Sequence, residues 1–286
     1  MTRTANRIIQ VDVLIIVLVI ALAAVTLLAA CASNQKPKLP YPAFIQAEGL
    51  PDMFVASLPG VRAKPLAGDM RTQSSSNLIS LPADWQGTTG AMPGKAVEIF
   101  VVAGELSLSD FKLTAGGYAY VPPGSLGFAL TTDSGATLLY FLDDVDEASV
   151  IRSPIILDSS LVEWVESSTS PGRFVRELRS DPGSGARSWL LRIDPGSTAT
   201  WTSTSVVREG FMLSGAYRDS ECFNGEALTW DYLPGGYFLR PPDSFNGGPA
   251  AVASSTATWF MRERSAGLEL TSDICFYTAP REAEAN

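Results

Sequence analysis

No histidine occurs anywhere in the 286 residues. That absence excludes imidazole acid–base chemistry, the usual serine or cysteine triads, and every histidine-ligated metal site. Basic residues are scarce too. The 21 Lys and Arg are outnumbered by 30 Asp and Glu, for a net charge of −9, and no basic cluster follows the first few residues. Nucleic acid is therefore not an expected partner, because phosphate backbones are gripped by basic patches. Long helical periods are missing as well: after residue 31 only LVEWVE (161–166) could make a turn or so of helix.

What remains is 46% hydrophobic and only 18% charged, with 24 Gly and 19 Pro. Such a composition describes a globular chain rich in strands and loops, with room for one large domain or two ordinary ones. The N-terminus carries Arg3 and Arg7, then the apolar run VLIIVLVIALAAVTLLAA from Val13 to Ala30, then Cys31. A basic head, an apolar core and small residues at its end read as an export signal. Leu28-Ala29-Ala30-Cys31 also resembles the bacterial lipobox, whose cysteine receives a diacylglycerol thioether before the signal is removed. Residues 1–30 are thus the expected signal peptide and Cys31 the expected lipidation site. An uncleaved membrane anchor is the other reading, since the run is just long enough to span a bilayer. Either way the body is expected outside the cytoplasm, tethered to a membrane lipid in the bacterial cell envelope. Ala32, rather than Asp, after the cysteine points to the outer membrane facing the periplasm if the source is Gram-negative.

Two further cysteines, Cys222 and Cys275, form an even pair, which in an oxidising compartment reads as a disulfide. It would close a loop of about 50 residues and contribute ~4 kcal/mol. Two buried thiols that never meet are the alternative.

Residues 31–43 read as the lipidated cysteine and a polar, proline-containing spacer. Beyond them the chain repeats itself. FIQAEGLPDMFVASLPG (44–60) answers to IILDSSLVEWVESSTSPG (155–172), and GVRAKPLAGD (60–69) to GRFVRELRSD (172–181), so Lys64 matches Arg176. EIFVVAGE (98–105) matches EGFMLSGA (209–216), AGGYAYVPPGS (115–125) matches PGGYFLRPPDS (234–244), and ATLLYF (136–141) matches ATWFMR (257–262). Two domains follow, 44–154 and 155–282, with a tail at 283–286. Their apolar segments are short, often alternate, and are separated by Gly, Pro, Asp and Ser, which is an all-β signature. Each half is expected to be a small β-barrel or jelly roll.

These segments carry a family likeness. Each repeat resembles a cupin, and the whole, from 44 to about 280, resembles a bicupin of the secreted kind related to anti-sigma-factor-type cupin domains. The cupin pattern has a first motif of Gly, two histidines and a glutamate closed by Gly, and a second of Gly, Pro, Gly and His. In the family those histidines and the glutamate hold one divalent metal. Carried over by position, the ligands are absent. Gly215 puts Arg208 at the glutamate, with Thr202 and Thr204 near the histidines, and Gly236 with Pro242 puts Gly247 at the last histidine. In the first repeat Gly104 puts Val97 at the glutamate, with Ala91 and Pro93 near the histidines, and Gly117 with Pro123 puts Phe128 at the last one. Glu98 and Glu209 stand one residue off, so on a strand they face outward if Val97 and Arg208 face inward. A buried Arg208 would oppose a divalent cation and fits an anion or a salt bridge.

The resemblance therefore implies two tandem cupin-like barrels without metal or cofactor and without an identifiable catalytic residue. The second barrel is the expected site, where Trp201, Thr202, Thr204, Arg208, Tyr237 and Arg240 offer an aromatic wall, hydroxyls and a cationic clamp for a small anionic or polar ligand. The first is expected to be filled by Val97 and Phe128. The acidic stretch DDVDE (143–147) reads as a solvated loop. Two alternatives stand beside a binding lipoprotein. One is a metal-independent enzyme of isomerase or epimerase type acting on a small polar or anionic substrate. The other is an accessory subunit docking on another envelope protein.

Overall fold

A computed structural model of the chain describes residues 36–275, apart from 56–57, 90–91 and 126. The expected signal peptide, Cys31 and the 283–286 tail lie outside the described residues. Strand follows strand from Ile45 to Ser272, and among the described residues the helical turns are the short 3-10 turns Ala47–Gly49 and Ser159–Leu161. The second of these is where LVEWVE begins.

The strand Lys95–Leu108 shows why the halves curl. Val97, Ile99 and Val101 enter one apolar core, while Ala96 and Phe100 enter another on the opposite face. Its first part pairs with Ala136–Asp144 and Gly117–Val121, and its last part with Phe111–Thr114 and Ala129–Thr132. One strand thus belongs to both layers of a barrel. It turns at Gly104, where φ is +79° and a Cβ would sit 2.3 Å from the Gly135 carbonyl oxygen. Gly215 repeats this directly after the strand Arg208–Ser214, with φ +86° and a Cβ position 2.1 Å from the Thr256 oxygen. These are the two glycines that end the first motif. Gly215→Ala should cost about 2 kcal/mol, measured by thermal unfolding, because neither the left-handed φ nor the backbone contact can relax.

In the second half, Arg173–Ser180, Arg187–Ile193, Ala257–Glu263, Arg208–Ser214 and Gly236–Arg240 form one sheet. Glu226–Tyr232, Tyr217–Phe223, Asn246–Gly247, Trp201–Thr204 and Glu269–Ser272 form the other. Each half opens with a strand that lies on the other half's sheet. Ile45–Gln46 pairs with Gly236–Arg240, and Ile155–Asp158 pairs with Gly117–Val121. The backbone repeats the exchange: Ala47 N–H donates to Gly235 O (3.0 Å) and Ser159 N–H to Gly116 O (3.2 Å).

The spacer is shorter than its prolines suggest. Leu39 and Tyr41 pack against the second barrel's core, and Ala43 and Phe44 are buried in it. Phe44 N–H donates to the Tyr232 hydroxyl at 3.0 Å, and Pro42 O accepts from Leu239 N–H at 2.7 Å. Leu39, Tyr41, Ala43 and Phe44, interrupted by Pro40 and Pro42, make a strap that adheres to the barrel. Phe44→Ala should destabilise the chain by about 3 kcal/mol in denaturant unfolding, the usual cost of emptying a buried aromatic site.

Among the described residues, three large apolar cores and one small cluster around Trp201, Cys222 and Phe245 result from Leu39 onward. One fills the first barrel, with Val97, Ile99, Val101, Leu138 and Tyr140, and Phe128 packs against it. A second lines the second barrel around Tyr232, Phe238 and Trp259. The third lies in the seam between the two facing sheets, where Phe260 meets Phe100 at 4.9 Å and Phe141 at 5.6 Å between ring centroids.

Candidate functional site

The second barrel keeps a cavity of about 60 Å³. Strand alternation decides its lining. Arg173 faces in from Arg173–Ser180, Tyr217 and Asp219 from Tyr217–Phe223, and Phe238 and Arg240 from Gly236–Arg240. Leu191, Ile193, Thr202, Arg208, Asn246, Trp259 and Met261 complete the wall. This is room for a few ordered waters or a carboxylate-sized group, far below the several hundred Å³ of a drug-sized ligand site.

Its three arginines are not equivalent. Arg240 is buried, 3.7 Å above the Phe238 ring, and donates to Glu221 Oε1 (2.8 Å) and Asp219 Oδ2 (2.7 Å). Burial disfavours its charge, but those two carboxylates outweigh burial and raise its pKa. Glu221 is pushed up by burial despite Arg240, and accepts a further bond from the Tyr41 hydroxyl of the strap (3.1 Å). Arg208 donates from Nε to Glu263 (2.7 Å) and from Nη2 to Glu269 (3.0 Å). Arg173 donates to the Tyr217 hydroxyl at 2.9 Å and has no carboxylate partner among the described residues. Burial, with Asp219 nearby, pushes the Tyr217 phenol up to about 12. At neutral pH that phenol stays protonated.

Of the residues singled out by sequence, the structure brings Thr202, Arg208 and Arg240 together on this wall. Trp201 lies elsewhere, packed with Cys222 and Phe245, and Cys275 rests against that cluster. Cys222 and Cys275 form a disulfide with Cα atoms 5.4 Å apart. Thr204 is buried at the end of its strand, its hydroxyl accepting from Val206 N–H at 3.4 Å. Tyr237 is one residue out of phase with Phe238 and faces the seam, where its hydroxyl donates to Glu209 at 2.6 Å. Sequence reasoning missed Arg173, Tyr217 and Asp219. A signal for two of them existed, since YRDSECF puts a Tyr, an Asp and a Glu at every second position.

No protein-family model matches the chain, and no curated protein is similar to it. Solved structures are. A proposed dioxygenase from Nostoc punctiforme superposes with a TM-score of 0.64 at 17% identity, over 87% of this chain and 90% of that one. Protein YlbA from Escherichia coli follows at 0.63 and 16%, over 80% and 94%. A variant of Bacillus subtilis oxalate decarboxylase gives 0.61 and 12%, over 83% and 81%. The chain has the cupin fold. At these identities the likeness concerns architecture, and chemistry must be read from the residues present.

Cupin barrels imply a metal, and the positions that would hold it do not fit one. In the second barrel they carry Arg208, locked between two glutamates, Thr202, and Gly247. Gly247 has φ +99°, and a Cβ there would lie 2.5 Å from the Thr200 oxygen, so no ligand side chain could replace it cheaply. In the first barrel Val97 is buried in the apolar core with Phe128 packed against it. Among the described residues no group of three or more His, Cys, Asp or Glu is placed to hold a metal. A guanidinium in the cavity repels a divalent cation and attracts an anion.

Glu98 and Glu209 do leave their barrels, and they enter the seam. Arg262 joins them, donating from Nε to Glu98 (2.8 Å), from Nη1 to Glu209 (3.0 Å) and from Nη2 to Asp143. Tyr118 donates to Glu98 at 2.7 Å as its repeat twin Tyr237 does to Glu209. Ser188 donates to Glu98, Arg179 lies 3.7 Å from it, and Arg264 lies 3.2 Å from Asp143. Asp143 corrects the reading of DDVDE as a solvated loop. It is 7% exposed, because the strand Ala136–Asp144 carries it into the seam. Burial opposes ionisation of Glu98 and Asp143. Arg262, with Arg179 at Glu98 and Arg264 at Asp143, outweighs burial and holds both pKa values below the ordinary range.

Proposed function

We propose that this protein is a ligand-binding cupin module whose second barrel takes a small carboxylate-type anion directly on arginine, without a metal. The observation that carries the reading is Arg173. It is the one cavity arginine not neutralised by a carboxylate among the described residues, and it stands beside a protonated phenol donor, Tyr217. Guanidinium and phenol together supply a charge-assisted set of donors for a carboxylate. The cavity's size limits the ligand to acids of a few carbons. Oxalate, which one structural neighbour's name gives as its substrate, is of this size and serves as a probe. The filled first barrel supports the second through the seam. In this reading Cys31 carries the acyl anchor, and the module works at the extracytoplasmic face of the cell envelope.

A binder is favoured over an isomerase or epimerase by the same geometry. The phenol facing the cavity is held protonated, and Asp219 accepts from Arg240. No free base is thus offered to a substrate proton among the groups described.

Calorimetric titration of acetate and oxalate tests the proposal. Arg173→Gln should weaken binding by about 10–100-fold, the worth of one charged hydrogen-bonding group. Equal affinity in wild type and Arg173→Gln, or no binding of either acid, would overturn it.

A further inference from the structure

On the strand Arg173–Ser180, Arg173 and Val175 look into the barrel, so Phe174 and Arg176 look out. Arg192 stands opposite Phe174 on Arg187–Ile193. The Arg176 guanidinium lies 4.5 Å from the Trp164 ring centroid, and Arg192 lies 5.1 Å from the same ring and 4.1 Å from Phe174. Two cations are therefore held against one indole. Burial first, and Arg192 second, lower the Arg176 pKa.

Internal partners satisfy this pair only in part. Arg176 makes no side-chain hydrogen bond or ion pair among the described residues, and the Nε atoms of both arginines are buried without a hydrogen-bond acceptor. The nearby carboxylates engage the pair only weakly. Asp158 accepts from the Ser160 N–H at 2.8 Å and reaches Arg176 through its charge alone, and Asp194 forms a long ion pair with Arg192 Nε at 3.6 Å. The other half of the chain provides an internal control. Lys64, the repeat twin of Arg176, donates to Leu50 O at 2.8 Å and pairs with Asp52 at 3.2 Å. The same position is saturated in one barrel and left open in the other.

We infer that Arg176 and Arg192, braced on Trp164 and Phe174, form a surface site for a phosphate-class oxyanion, separate from the barrel cavity. Two forked guanidiniums match an oxyanion with several acceptor oxygens and about two negative charges better than a monocarboxylate. Stacking fixes both planes in advance, so little side-chain entropy is lost on binding. The phosphate can come from a soluble phosphomonoester or a lipid headgroup. The exposed Leu161 and Val165 flank Trp164 in sequence and would meet the apolar part of a lipid.

The test uses the full chain in neutral detergent with ¹⁵N-labelled arginine. Inorganic phosphate, glycerol 3-phosphate and dihexanoyl phosphatidic acid are titrated in turn. Saturable shifts of the Arg176 and Arg192 Nε–H resonances, with Arg71 unmoved, are expected. Arg71, whose side chain is 85% exposed, reports non-specific contact. Response to all three probes assigns the site to the phosphate group itself, and response to phosphatidic acid alone assigns it to a headgroup with its apolar neighbour. The double variant R176Q/R192Q should bind at least tenfold more weakly, and the wild-type shifts decide the matter if that variant does not fold. Static Arg176 and Arg192 resonances with every probe, or an equal response from Arg71, overturn the inference.

Discussion

Replacing Arg262 by alanine should destabilise the protein by about 3–5 kcal/mol at pH 7, the usual effect of removing one partner from a buried ion network. For a chain of this size the melting temperature falls by about 10 °C. The size of the effect comes from what is left behind. Glu98, Glu209 and Asp143 are 1%, 3% and 7% exposed, and Arg262 is the cation that touches all three. Without it, Glu98 keeps Arg179 and Asp143 keeps Arg264, but among the described residues Glu209 keeps only the Tyr237 phenol.

The pH dependence of that loss identifies its cause. In the wild type, Glu98 and Asp143 have folded pKa values below their unfolded ones of about 4. Their contribution is fully present above the unfolded values and is lost as pH falls through the folded values. Wild-type stability should therefore hold from pH 7 to 5 and drop below about pH 4. Without Arg262, burial is opposed mainly by Arg179 at Glu98 and Arg264 at Asp143. These carboxyls should therefore titrate higher than in the wild type and, where burial wins, above their unfolded values. Their charge then costs stability at pH 7, and mild acid relieves that cost. Arg262→Ala should accordingly lose less stability at pH 5 than at pH 7 when both forms are melted side by side. A loss independent of pH would mean that Arg262 acts through packing on Phe141, 3.9 Å from its guanidinium, and not through charge.

The second large effect concerns the disulfide. Cys222 and Cys275 are 53 residues apart, and the bond ties the C-terminal strand Glu269–Ser272 to the sheet that bears Trp201. Closing a loop of this length restricts the unfolded chain by about 4 kcal/mol in the entropic account. Cys222→Ala combined with Cys275→Ala should lower stability by about 3–4 kcal/mol, because the unfolded chain regains the freedom that closing this loop removes. A reductant should do the same to the wild type and nothing further to the double variant. An unchanged melting temperature in reductant would show that the bond does not constrain the unfolded state.

Much of the architecture was legible because it rests on local rules. Alternating segments, turn residues and collinear repeats gave the all-β barrels, and the twin glycines Gly104 and Gly215 marked the sharp bends where the strands change layer. Features that depend on what covers a face were not legible. Glu98 and Glu209 could be read as outward-facing, but no local pattern says that a second sheet will bury them around Arg262. Asp143 was misread for the same reason, as part of an acidic run rather than as a strand residue under a neighbour. Pro40 and Pro42 disguised Leu39, Tyr41 and Ala43, the first part of the strap, as a linker. In the cavity, a phase error of one residue separated Tyr237 from the wall that Phe238 and Arg240 form. Arg173 escaped because its strand was read for the repeat and not for its alternation.

In the proposed function, the second barrel binds a small carboxylate through arginine and needs no metal. Calorimetric titration of oxalate into the metal-stripped chain, with a chelator present, tests it most directly. Saturable binding at about one site per chain is expected, unchanged by the chelator and weakened by Arg173→Gln. Binding that disappears with the chelator and returns with added manganese would contradict it.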